Sequence, residues 1–140
     1  MALVITSSAF SEGEAIPNRY TCDGPDVSPD LAWSGIPEGA ASLALICDDP
    51  DAPMGTWVHW VLYNLSPELA GLPEAINTEN LPRGALAGSN DWRRTGYNSP
   101  CPTIGRHRYY FTLYALDSML PDLDRPTKRQ LEKAMQGHVL

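Results

Sequence analysis

The distribution of proline and glycine constrains this chain more than any other sequence feature. Thirteen Pro and 11 Gly are spread from Gly13 to Gly137 instead of being concentrated in one tract. Because these residues interrupt helices and strands, they divide the chain into short pieces joined by structured loops. The pattern disfavours a helical bundle and favours a fold built from short β-strands.

The length and charge of the chain limit its organisation and its partners. With 140 residues it suits one domain spanning residues 1–140. Lys and Arg number 10 and Asp and Glu 17, which gives a net charge of −7. Nucleic acids and anionic membrane surfaces attract basic faces, so the charge argues against both as partners.

No segment of the sequence reads as a membrane span or a secretory signal. The longest near-apolar run, Ala40 to Cys47, is far shorter than the ~20 residues that span a bilayer. The segment from Met1 to Phe10 lacks basic residues before a hydrophobic stretch. We therefore expect a cytoplasmic protein.

The three cysteines, Cys22, Cys47 and Cys101, are spaced about evenly along the chain. An odd number without C-x-x-C spacing argues against a disulfide framework and against a zinc site. We expect reduced thiols, and no metal or cofactor is predicted.

Three segments have the composition of strands. Ser42–Cys47 is a short apolar run typical of a strand buried on both faces. Trp57–Asn64 and Tyr109–Leu116 are rich in aromatic and β-branched residues, and a weaker strand is expected at Leu3–Thr6. Alternation along a strand predicts two shared faces, one with Trp57, His59, Val61 and Tyr63 and one with His107, Tyr109, Phe111 and Leu113.

One helix is well signalled, near the C-terminus. Thr127 followed by Gln130 forms a capping box, and Gly137 supplies a stop. An apolar stripe at helical spacing consists of Leu131, Ala134 and Met135. The sequence therefore predicts a mainly-β sandwich with a small peripheral helix.

Three clusters of residues could carry chemistry, and each also has a simpler explanation. The run from Asp48 to Pro53 could aim Asp49 and Asp51 in fixed directions, or could be a solvated Asp-Pro turn. His59 lies between tryptophans within a strand, where its ring is either a ligand donor or a core histidine bonded to the backbone.

The third cluster runs from Gly96 to Tyr109. Its first part, which contains Ser99 and Pro100, is a stiff loop of small residues that lets backbone N–H groups approach a ligand. Its second part brings His107, Arg108 and Tyr109 to the start of a strand, although Arg108 could simply pair with an acidic neighbour and Tyr109 could belong to the core.

The order of these clusters is far more specific than any one of them. Asp-Pro-Asp-Ala-Pro, then Gly-x-x-x-His-Trp, then Gly-Tyr-x-x-Pro-x-Pro with His-Arg-Tyr resembles the phosphatidylethanolamine-binding protein family, in particular its bacterial and archaeal, Raf kinase inhibitor-like branch. The resemblance extends almost from end to end through Tyr20–Gly24, Ser28-Pro29, Leu31–Trp33, Gly88–Asp91, Tyr114–Asp117 and Ala134–Leu140.

The resemblance implies a fold and a binding site. The fold is a single domain of two antiparallel β-sheets in a Greek-key sandwich, with a small anion-binding pocket at one end. Carried over position by position, the pocket residues are Asp49, Asp51, His59, Ser99, Pro100, His107 and Tyr109. Members of the family hold phosphate-like or carboxylate anions there, including phospholipid head groups.

A hierarchy of contacts would let carboxylates lie beside a bound anion. Asp49 would accept a hydrogen bond from an imidazole N–H and favour the imidazolium, while Asp51 caps the loop. His59 and His107, helped by a backbone N–H near Ser99 and the Tyr109 hydroxyl, would then donate to the anion. Since an ordinary imidazole has a pKa of ~6.5, this arrangement predicts an anion affinity that rises as the pH falls from about 8 to 6.

The alternative is a metal-dependent or His/Asp-dependent enzyme acting on a small molecule that contains phosphate. Two His and two Asp could hold a metal, or a His–Asp pair could act as a general base. The sequence contains no Gly-x-Ser-x-Gly elbow and no His-Glu-x-x-His motif, so we expect a binding protein and no enzyme.

The resemblance also suggests protein partners. Some family members inhibit kinases or proteases, so a regulatory partner of that kind is one expectation. Prokaryotic relatives are often dimeric, so we also expect a homodimer.

Overall fold

The computed structural model describes residues 4–7, 28–49, 57–76, 81–82, 84–91, 95, 97 and 110–140, with the backbone alone at 49, 57 and 110. The strands are β1 (Val4–Thr6), β2 (Leu31–Ser34), β3 (Ser42–Asp49), β4 (Trp57–Leu65), β5 (Gly71–Leu72), β6 (Leu86–Ala87) and β7 (Tyr110–Leu116). One helix, α1 (Lys128–Met135), follows them. The four strands expected from the sequence are all present, whereas β2, β5 and β6 are too short to give a periodic signal.

The strands form two antiparallel sheets. The smaller has the order β1-β2-β5, and the larger has the order β6-β4-β3-β7. Every strand pair is antiparallel. The predicted mainly-β architecture, with two antiparallel sheets and a C-terminal helix, is therefore confirmed.

The core lies in two layers because both faces of the larger sheet are covered. Between the sheets, Leu31, Trp33 and Leu72 of the smaller sheet belong to the same cluster as Leu43, Leu45, Trp60, Leu62 and Leu113. On the outer face, α1 contributes Leu131 and Met135 to a cluster that contains Ala44, Ile46, Val61, Tyr63 and Leu116. From Leu43 to Cys47 no β3 side chain is more than 2% exposed, as its unbroken apolar run predicts.

A β-bulge interrupts the alternation of β4. Cys47 is opposite Trp60 and Asp48 is opposite Val58, so β4 has one residue more than β3 at this point, and His59 is the inserted residue. As a result Val58, Val61 and Tyr63 share the face towards α1. The predicted shared face of Trp57, His59, Val61 and Tyr63 is confirmed for Val61 and Tyr63. The inserted residue breaks the period-2 alternation at His59, and the side chain of Trp57 lies outside the described residues. For β7, Phe111 and Leu113 do share the inner face, and His107 and Tyr109 lie outside the described residues.

The helix begins and ends where the sequence indicates. The Thr127 Oγ1 accepts from the Gln130 backbone N–H at 3.2 Å, and the Gln130 Oε1 accepts from the Thr127 N–H at 2.9 Å. This reciprocal capping box satisfies two backbone donors at the start of the helix. Gly137 has a φ of 80°, the left-handed conformation that glycine adopts most readily beyond a helix end.

Candidate functional site

The bulge places His59 at the end of the larger sheet. Its side chain is only 3% exposed, and the Nε2 atom is shielded from solvent. β-Bulges are over-represented beside functional sites because the extra residue re-aims a side chain. The bulge therefore gives His59 an orientation that a regular strand would not give it.

Asp91 holds the backbone just before the bulge. Its carboxylate Oδ2 accepts from the Val58 N–H at 2.7 Å, and its own N–H donates to the Val58 carbonyl at 3.0 Å. Asp91 thus takes the place of a strand partner for Val58, at an edge that β6 does not reach. This double contact fixes the residue that precedes His59.

The segment that carries Asp91 fits closely against β4 and the approach to α1. The Gly88 N–H donates to the Val61 carbonyl at 2.7 Å, and the Ser89 N–H donates to the Pro126 carbonyl at 2.7 Å. A Cβ added at Gly88 would collide with the Pro126 carbonyl and lie 2.7 Å from Val61 Cγ1. Only glycine lets the chain pass at this distance.

Tyr97, from the cluster at residues 96–109, contacts the strand that carries His59. Its ring packs edge-on against Trp60, with ring centroids 5.4 Å apart and an interplanar angle of 81°. An isolated bridge between Ser89 and Thr95 helps to bring the chain back towards β4. Trp60, the neighbour of His59 in the strand, therefore contacts Tyr97 of the 96–109 segment.

Two strand ends meet near His59. Asp49 is the last residue of β3, and its backbone pairs with Trp57. On the other side of β3, Tyr110 begins β7 opposite Asp48. Of the predicted site residues, the structure thus places His59 and the backbone of Asp49 near the same end of the β3–β4 pair. The others, Asp51, Ser99, Pro100, His107 and Tyr109, lie outside the described residues.

A partly buried ion pair lies directly behind this end of the sheet. Lys128 Nζ is 2.6 Å from Asp48 Oδ2, with the two side chains 26% and 14% exposed. Burial, the largest influence, lowers the pKa of Lys128, but the hydrogen bond and charge of Asp48, together with nearby Glu132, outweigh it. The net effect raises the pKa of Lys128 above its usual value.

A second polar group lies elsewhere in the fold, where the C-terminal segment meets β7. His138 Nδ1 is 2.8 Å from Asp117 Oδ1 and 3.4 Å from Ser118 Oγ. Both contacts reach the same ring nitrogen, so the three residues do not form a relay from Ser through His to Asp. Backbone bonds from Asp117 to His138 and from Leu140 to Ala115 show that this is a structural closure of the edge strand.

Two further observations concern the described part of the chain only. Within it, three or more His, Cys, Asp or Glu side chains are nowhere grouped so that they could hold a metal ion. Its one helix does not have the length and apolar character needed to cross a membrane.

Comparison with known proteins identifies the family. The family model described as phosphatidylethanolamine-binding protein matches residues 6–140. The chain belongs to the phosphatidylethanolamine-binding protein family. Its membership, expected from the ordered motifs, is thereby confirmed.

Relatives within the phosphatidylethanolamine-binding protein family align over nearly the whole chain. A UPF0098 protein of Methanothermobacter thermautotrophicus is 49% identical over 137 residues, which is 97% of this chain and 91% of the relative. The crystal structure of the family homolog CT736 from Chlamydia trachomatis has a TM-score of 0.91 at 44% identity and covers 99% of this chain and 91% of that one. Escherichia coli YbcL has a TM-score of 0.90 at 30% identity, with coverage of 99% and 92%.

Sequence reasoning missed the contacts that hold this end of the sheet, those of Asp91 with Val58 and of Asp48 with Lys128. The Gly-Ser-Asn-Asp run at residues 88–91 carries turn chemistry that could have marked Asp91 as a backbone acceptor. The pairing of Asp48 with Lys128 joins residues 80 apart in sequence, and no local pattern predicts it.

Proposed function

We propose that this protein binds a small anion, a phosphate or carboxylate or a phospholipid head group, at the end of the larger sheet around His59. The observation that carries the proposal is the buried His59 side chain at a β-bulge. The preceding residue, Val58, has its backbone held by Asp91 on one side and lies opposite Asp48, near the end of β3, on the other. An imidazole N–H at such a buried position can donate a hydrogen bond to an anion, and protonation adds charge assistance.

The remaining ligand contacts follow from the family pattern. His107 and Tyr109 would donate to the anion, with Ser99 and Pro100 shaping the loop and Asp49 and Asp51 orienting the donors. The start of β7 opposite Asp48 supports placing the preceding segment at this end of the sheet. The contact between Tyr97 and Trp60 supports the same placement for the loop that contains Ser99.

A calorimetric titration with inorganic phosphate tests the proposal. Wild-type protein should bind phosphate more tightly at pH 6 than at pH 8, because imidazolium is the better donor. His59→Phe keeps an aromatic ring in the buried position and removes both ring nitrogens, so phosphate binding should be lost while thermal unfolding changes little. His138→Phe, at the C-terminal closure, is the matched control and should bind as wild type does.

The outcomes separate binding from other roles. Equal phosphate affinity in wild type and His59→Phe would contradict the proposal, and so would an affinity that is flat between pH 6 and 8. Stoichiometric zinc or manganese in the purified protein would favour the enzyme alternative, in which the same His and Asp residues act on a phosphate-containing small molecule.

We also propose that the protein forms a homodimer and that a protein kinase or protease is its regulatory target. Both follow from the family resemblance, and both have direct tests. Sedimentation at micromolar concentration should give twice the monomer mass. Inhibition of a target should be reduced by His59→Phe if the anion site forms part of the docking surface.

A further inference from the structure

The ion pair between Lys128 and Asp48 joins α1 to the strand end that borders the proposed anion site. The contact of 2.6 Å is made by side chains that are 26% and 14% exposed, and it connects residues 80 apart in sequence. A surface pair of this kind contributes little, but a partly buried one leaves a costly charge behind when either partner is removed.

Because Asp48 lies near His59 in the strand pair, the charge of Asp48 can affect an anion bound at the proposed site. Asp48 is directly opposite Val58, the residue before His59, and it immediately precedes Asp49. Directly opposed residues of an antiparallel pair have Cα atoms about 4.5–5.5 Å apart. Asp48 therefore lies at the strand end that borders the proposed site, and in this partly buried setting an uncompensated carboxylate there would repel an anion.

The surroundings of the ion pair add negative charge. Glu132 and the Tyr114 hydroxyl are the other titratable groups that interact with Lys128. Glu132 is one turn further along α1 and is exposed. Lys128 is therefore the group among these that offsets Asp48.

We propose that Lys128 is a positioning residue for anion binding: by neutralising Asp48 behind the bulge, it prevents that carboxylate from repelling the anion at His59. The inference rests on the proposed anion site and names a residue of α1 as part of its electrostatics. Because Lys128 acts through Asp48, its effect should disappear when Asp48 carries no charge.

Four variants test this inference by phosphate calorimetry at pH 7, each with its thermal unfolding measured alongside. Lys128→Met keeps the aliphatic stem and removes the charge, so phosphate should bind about fivefold more weakly. Combining Lys128→Met with Asp48→Asn should restore the wild-type affinity. Lys128→Arg keeps the cation and should bind as wild type does, and Lys133→Met, at an exposed position of the same helix, is the matched control.

The results distinguish charge compensation from a purely structural role. If Lys128→Met and the double variant bind equally weakly, the ion pair serves only folding and the inference is overturned. If wild type binds phosphate and Lys128→Met binds just as well, the inference fails while the proposed function stands. Absence of phosphate binding by wild type would overturn both.

If Lys128→Met does not fold, the phosphate affinity of Asp48→Asn alone tests the inference. Asp48→Asn alone removes the repelling carboxylate and leaves the Lys128 cation in place, so phosphate affinity should equal or exceed that of wild type. Weaker binding by a folded Asp48→Asn variant would contradict the inference.

Discussion

At the scale of single residues, the site depends on an inserted residue and the acceptor that fixes its neighbour. His59 occupies the bulge, and the Asp91 carboxylate accepts from the Val58 N–H at 2.7 Å. These contacts fix the backbone beside the imidazole that we propose as the anion donor, so Asp91 does not itself need to touch a ligand.

Asp91→Ala should weaken both the fold and phosphate binding. It leaves the Val58 N–H at a buried position without the carboxylate acceptor, which costs about 1–3 kcal/mol of unfolding free energy. Asp91→Asn retains an oxygen acceptor and should lose clearly less in both measurements. Urea denaturation and phosphate calorimetry check this prediction, and equal losses in the two variants would show that the acceptor geometry is not what matters.

Residues with strong local signals were predictable from sequence, and those set by register were not. The capping box involves Thr127 and Gln130 within a segment of four residues, so a local pattern predicts it, and the structure contains it. The bulge at His59 depends on the register between β4 and β3. A local sequence pattern does not determine that register, so the bulge could not be predicted. For the same reason the alternation predicted from His59 to Val61 and Tyr63 does not continue through the bulge, although Val61 and Tyr63 do share a face.

At the scale of secondary-structure elements, α1 covers the outer face of the larger sheet and supplies a cation to its end. Leu131 and Met135 are buried against the sheet, and Lys128 reaches Asp48. The long apolar strands β3, β4 and β7 could be predicted because continuous burial gives continuous hydrophobicity. The two-residue strands β5 and β6 could not, because their pairing is decided by neighbours distant in sequence.

Removing the helix cap should destabilise α1 measurably. Thr127→Ala deletes the oxygen that accepts from the Gln130 N–H at 3.2 Å and should cost about 1 kcal/mol of unfolding free energy. Thr127→Ser retains this oxygen and should behave almost as wild type does. Chemical denaturation measures both, and an unchanged midpoint for Thr127→Ala would mean that the cap does not contribute to the stability of the folded chain.

At the scale of the whole molecule, stability should fall in alkaline solution. Burial, as the largest cause, raises the pKa of Tyr63 and of Tyr114 above 10.0, and Asp48 helps to raise the pKa of Lys128 above 10.5. Each group holds its proton more tightly in the folded than in the unfolded chain. Their contribution is therefore complete below pH 10 and is lost as the pH rises further.

Urea denaturation between pH 9 and 11 checks this dependence. The free energy of unfolding should decrease with pH, and Tyr114→Phe should make the decrease shallower because one of the linked protons is removed. A decrease of the same slope in Tyr114→Phe would exclude Tyr114 as a source of the effect.

The central claim is that His59 and His107, 48 positions apart in sequence, bind one anion together. The chain has three histidines, and the third, His138, is held by Asp117 at the C-terminal closure and serves as an internal control. The direct measurement is a phosphate titration followed by nitrogen-15 NMR of the imidazole rings. We predict that the His59 and His107 signals shift with one common dissociation constant while the His138 signal stays in place. A response of His59 without His107, or an equal response from all three rings, would contradict the account.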